Sequence, residues 1–156
     1  MPNFNVNVVR SALADHFRMV QGEIHELTAP LSTSQLWERP YPYGNSVGNL
    51  LLHLTGNLNY YIGAEIAETG YVRHRDQEFA GGGKSKEDLL KDFDDAIETV
   101  VSAIASQSDD DWSAPYSATG TKLKDRFGMF LNCVGHASEH MGQIIYLQRE
   151  LLRKSG

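Results

Sequence analysis

Residues 129–147 read MFLNCVGHASEHMGQIIYL. Met129, Phe130, Leu131, Val134, Ala137, Met141, Ile144, Ile145 and Leu147 recur at three- and four-residue steps, and Leu151 continues the series. This spacing predicts one long helix from about Leu123 to Leu152 with an apolar face to bury. A helix of that kind needs partners, and three more stripes lie upstream. Val9, Leu13, His16, Phe17, Val20, Ile24 and Leu27 predict a first helix ending near Leu27. Val47, Leu50, Leu51, Leu54, Leu58, Tyr61 and Ile62 predict a second, capped by Asn45 or Ser46 and reaching about Glu68, where Thr69 and Gly70 stop it. Leu89, Leu90, Phe93, Ile97, Val100, Val101 and Ile104 predict a third, opening at Ser85 with a capping-box-like Asp88 and ending near Ser106.

The segments between these stripes read as loops. TAPLSTSQLWERPYPYGNS (28–46) carries three prolines, which remove backbone donors and bias their predecessors away from helix, so it reads as a long crossover loop. YVRHRDQEFAGGG (71–83) lacks a stripe and ends in three glycines, and SQSDDDWSAPYSATGTK (106–122) is turn-rich, with room for a short hairpin or extended piece. No strand shows sustained alternation and no repeat is visible. The expected architecture is all-α, an antiparallel four-helix bundle with long crossover loops, formed by residues 1–156 as a single domain.

Composition narrows the class. With 41% hydrophobic and 22% charged residues, the chain is too apolar for disorder and should fold alone. A net charge of -6 argues against a nucleic-acid partner. Cys133 is the single cysteine, so no internal disulfide can form and a reducing cytoplasm is the expected location. No stretch approaches the roughly 18 apolar residues of a membrane span.

The sharpest chemical signal is HASEH, with His136 and His140 four apart. At about 100° per residue the two rings lie within about 40° of each other and can face one ion, although such pairs also occur without a metal. Met129, Cys133, Ile144 and Leu147 share their arc, so both imidazoles should face the interior. Buried imidazoles require a metal, a carboxylate or a hydrogen-bond network. The best candidate for a third ligand is His53 in GNLLLHLTGN, with Asn49, Asn57 and Tyr60 on the same helix face. That line suits a polar cavity beside the core stripe, the alternative being a solvent-facing polar strip. Three neutral histidines leave coordination positions open to water or substrate, and zinc, nickel, iron and manganese are all compatible.

Other residues carry more than one reading. Cys133 is a fourth ligand, a reactive thiol or a small buried hydrophobe. Glu139 orients an imidazole, acts as a base or is an exposed helix carboxylate, and His16 can contribute to the cavity, whereas His25 and His74 lie away from it. Gly128, Gly135 and Gly142 form a bare ridge that either receives a helix of a second copy or makes room within one bundle. Arg73 and Arg75, in a loop with Asp76 and Glu78, either clamp an anionic substrate or form ion pairs that hold the loop down.

GNLLLHLTGN followed by HASEHMGQI resembles the DinB and YfiT-like superfamily of metal-dependent proteins, and VRHRDQEF with GGGKSKEDLL resembles one DinB-like branch. The likeness spans nearly the whole chain. It implies a four-helix bundle with long crossover connections, a triad of His53, His136 and His140 holding a divalent metal, often nickel or zinc, and a homodimer. Relatives include transferases and isomerases that use bacillithiol, mycothiol or glutathione, which implies a low-molecular-weight thiol as co-substrate. Many relatives carry a further histidine where this chain has Asn132, and Glu139 and Met141 also fall at variable positions, so no substrate transfers. The leading expectation is a metal-dependent enzyme that activates a thiol or water for a small-molecule substrate, a thiol S-transferase or hydrolase. Its rival is a non-catalytic metal-binding dimer or a small-molecule-binding stress-response bundle.

Overall fold

A computed structural model describes residues 5–118 and 122–155. Residues 119–121, part of the tract expected to be loop, lie outside the described residues. Four helices are long: α1 (Val6–Thr28), α3 (Val47–Leu58), α5 (Lys86–Ser106) and α6 (Arg126–Ser155). Two are short, α2 (Thr33–Trp37) and α4 (Arg75–Ala80). Each long helix starts where a short polar side chain accepts an otherwise orphaned amide: Asn5 from Asn7, Ser46 from Asn49, Ser85 from Asp88, and Asp125 from Gly128.

Helix α1 packs on α5 and α6, and α3 packs on the same two, so α1 and α3 face each other across the diagonal. Their stripes meet in one core, with Phe17, Ile24, Leu54, Phe93, Ile97, Phe130 and Ile144 fully buried. Each such side chain contributes about 1.5–3 kcal/mol relative to exposure. Leu131 is a correction: it is 48% exposed, two positions from fully buried Cys133 and hence on the opposite side of α6.

The helix directions also differ from an all-antiparallel bundle. Arg10 of α1 bonds the Gln107 carbonyl just past α5, and Lys86 at the start of α5 bonds the Leu31 carbonyl just past α1, so these two are antiparallel. Tyr116 donates to the Tyr61 carbonyl and Lys154 to the Pro40 carbonyl, which makes α6 antiparallel to α3. However, α3 and α5 run parallel. Trp37 packs on Gly48 at the start of α3 and donates to the Lys84 carbonyl just before α5, while Gly63 lies beside Thr99 at the far end. Short loops enforce antiparallel neighbours, but residues 65–85 are enough to carry the chain back along α3.

Both long connections contain a short helix rather than loop alone. Helix α2 opens on a reciprocal cap between Ser32 and Gln35, and α4 occupies the charged RDQEFA segment. The second helix does not stay α-helical to Glu68. It widens into a π-helix over Asn59–Ala64, and Glu68 (φ 53°) and Gly70 (φ 76°) then turn the chain away. The tract before α6 forms a 3-10 turn (Asp111–Ser113) and an antiparallel bridge between Pro115 and Asp125, which delays the helix start to Arg126. No helix among the described residues is long and apolar enough to cross a membrane.

Candidate metal centre

His136 and His140 stand one turn apart on α6, and α3 brings His53 against them. The three side chains offer ligand atoms that all lie within 4.8 Å of one another. His136 Nε2 is 3.1 Å from His53 Nε2 and 3.0 Å from His140 Nε2. His53 is 6% exposed, and the other two rings are half-buried.

Each outer imidazole is oriented from behind. His53 Nδ1 donates to Glu78 Oε2 at 2.8 Å, and His140 Nδ1 donates to Gln143 Oε1 at 2.8 Å, so both Nε2 atoms present bare lone pairs. Glu78 is buried and is also gripped by Arg73, whose Nε and Nη2 reach its two oxygens at 2.6 and 2.8 Å. Burial alone would raise the Glu78 carboxyl, but hydrogen bonds from His53 and Arg73, with the Arg73 charge, hold it below the usual carboxylate range. Gly56 makes this possible, because a Cβ there would overlap the Glu78 carboxyl. Asn49 fixes the same segment by donating to the carbonyls of Glu78, Phe79 and Gly81.

The donor set fits a divalent ion. His136 Nε2–H can satisfy only one of the two lone pairs aimed at it, and His136 Nδ1 is buried without a partner. An unsatisfied buried polar group costs about 1–3 kcal/mol. Ligand bonds of about 2.0–2.1 Å place neighbouring nitrogens roughly 3.0–3.4 Å apart, which the two pairs that share His136 Nε2 match. Burial, with the like charges His140 and His53 would carry, lowers the His136 pKa to about 4, so this ring is a neutral donor at pH 7. The backing of His53 by a carboxylate is the usual outer support of a metal-bound histidine.

Two cavities adjoin the site. The larger, about 820 Å³, reaches Glu78 but none of the three histidines. The smaller, about 380 Å³, opens onto His53 and His136 and is lined by Asn57, Arg73, Arg75 and Lys122 among others. Asn49, Tyr60 and Cys133 do not line it, although the sequence placed them with the cavity. Asn49 is consumed as a clamp, and Tyr60 sits on the π-helix, where burial and then Glu65 raise its hydroxyl pKa. Cys133 is fully buried, its thiol pushed up to about 12 by burial, with Asn57 Oδ1 3.8 Å and Met129 Sδ 3.7 Å away.

Glu139 is exposed and borders a separate groove with Tyr43 and Tyr146. His16 meets Ser138, His25 meets Asp94, and His74 precedes α4. The Arg73 to Glu78 segment resolves its two readings for Arg73, which pairs with Glu78 and holds the loop. Nothing stands within 4 Å of a Cβ at Gly135 or Gly142, so that part of the ridge is not filled by the described residues of the bundle. Glu78 was not singled out as a partner of His53. The cue was its place among mixed charges in a loop that has no reason of its own to bury a carboxylate.

This chain belongs to the DinB superfamily, whose family model matches residues 16–144 and so spans all three histidines. The fold also matches the crystal structure of a conserved protein from Enterococcus faecalis, with 18% sequence identity and a TM-score of 0.77 over 92% of this chain and 97% of that one. At that identity the likeness carries the fold alone. No curated protein matches the chain.

Proposed function

We propose that the chain, as one domain, is a metal-dependent enzyme in which His53, His136 and His140 hold one divalent ion, nickel or zinc before iron or manganese. When bound, such an ion supplies a Lewis acid that lowers the pKa of a coordinated thiol or water toward neutrality. The observation that carries the proposal is the convergence of three Nε2 atoms beside a cavity, two of them freed by Glu78 and Gln143. Glu78 fixes the tautomer and orientation of His53, and Arg73 keeps Glu78 ionised and the loop closed over it. Asn57 offers a polar contact to a molecule in the cavity. Thiol S-transfer or hydrolysis is the chemistry this arrangement suits, with a low-molecular-weight thiol or water as nucleophile. We read the protein as a cytoplasmic homodimer, with the open Gly135 and Gly142 ridge of α6 and exposed Tyr146 available for a second copy.

The test is a screen of the zinc- and nickel-loaded protein for thiol transfer to small electrophiles and for ester or amide hydrolysis, with His140→Ala alongside. Metal-dependent turnover lost in the variant supports the enzyme. Stoichiometric metal in a closed, four-coordinate site with no turnover favours the non-catalytic metal-binding bundle instead.

A further inference from the structure

We infer that the cavity beside the triad binds an anionic small molecule, one bearing a carboxylate or phosphate group, through Arg75 and Lys122; this deepens, and for its chemistry rests on, the metal-site function proposed above. The cavity wall carries three cationic side chains, Arg73, Arg75 and Lys122, and no Asp or Glu among the described residues. That is a local inversion of sign in a chain of net charge -6. Arg73 is spent on Glu78, whose carboxylate lies beneath the wall and is shared with His53. Arg75 and Lys122 have no carboxylate within ion-pair distance among the described residues, and the Arg75 guanidinium lies 5.5 Å from the Phe79 ring centroid.

A planar guanidinium steadied by an aromatic face matches a carboxylate or phosphate in two parallel hydrogen bonds. A cavity lined by one sign of charge also concentrates counter-ions against low-dielectric walls. Beyond these two cations the wall is mixed, with Leu123 and Met129 apolar and Asn57, Asn132 and Tyr61 polar. At about 380 Å³ the space falls within the range of small-molecule sites. His53 and His136 line the same cavity as Arg75 and Lys122, so a molecule held there by its anionic group shares the space with two of the three histidines.

Titration calorimetry with succinate, its neutral analogue succinamide and the cation 1,4-diaminobutane tests this on both metal-loaded and chelator-stripped protein. Succinate is expected to bind at least about tenfold more tightly than succinamide in both forms, the effect of one charge-assisted contact. Arg75→Gln combined with Lys122→Gln should abolish that preference while metal content and helical signal stay at the wild-type level. Equal affinities in both forms, or a preference that survives the double substitution, overturns the inference. A preference present in the stripped protein that nevertheless takes up no metal supports the anion site and overturns the metal-site function alone.

Discussion

The carboxyl of Glu78 occupies the space that a side chain at Gly56 would fill. A Cβ at residue 56 would overlap Oε1 and stand 2.9 Å from Cδ. The carboxyl cannot retreat without releasing Arg73 and His53 together. Gly56→Ala should therefore lower stability by about 1–3 kcal/mol, although alanine gains about 1 kcal/mol of helix propensity. Chemical denaturation of both proteins measures the sign, and a stabilised variant would refute the fit.

Replacing Glu78 with glutamine keeps the shape and removes the charge. Arg73, 9% exposed at its side chain, then lacks its counter-ion, a loss of about 3–5 kcal/mol for a buried pair. His53 also loses its strongest acceptor, and metal affinity should fall about 10–100-fold. Competition against a chromophoric chelator reads the second effect separately from the first.

The metal-free protein should lose stability on acidification. The His136 pKa is about 4 in the fold against an ordinary 6.5, so between those values the unfolded chain binds the proton and the folded chain does not. Stability is therefore full above about pH 6.5 and declines as pH falls toward 4, with a slope approaching 1.4 kcal/mol per pH unit. His136→Asn should flatten that slope in urea denaturation run at several pH values.

Cys133 should behave as a core residue. Burial pushes its thiol up to about 12 and leaves no exposed surface, so a thiol reagent at pH 8 should label it only after unfolding. Cys133→Ala should retain stoichiometric metal; loss of metal in a folded variant would return the sulfur to the ligand set.

The long helices were legible because Phe17, Leu54, Phe93 and Ile144 belong to stripes of many turns. The HASEH spacing likewise put His136 and His140 on one face from local geometry alone. Helices of five and six residues, α2 and α4, are too short to display a period. The Glu78 to His53 contact joins residues 25 apart through a loop whose path no spacing encodes. Asn49 and Asn57 share a helix face with His53, but Asn49 lies one turn nearer the helix start, where the carbonyls of the 78–81 segment claim it. The parallel course of α3 and α5 was hidden for a related reason, since loop length permits a return without requiring one.

The most direct measurement is elemental analysis of protein purified without an affinity tag, before and after chelation, beside His136→Ala. About one zinc, nickel or similar ion per chain is expected in the wild type and none in the variant, with helical content retained in both. Absence of metal under every loading condition, or full metal in the variant, would contradict it.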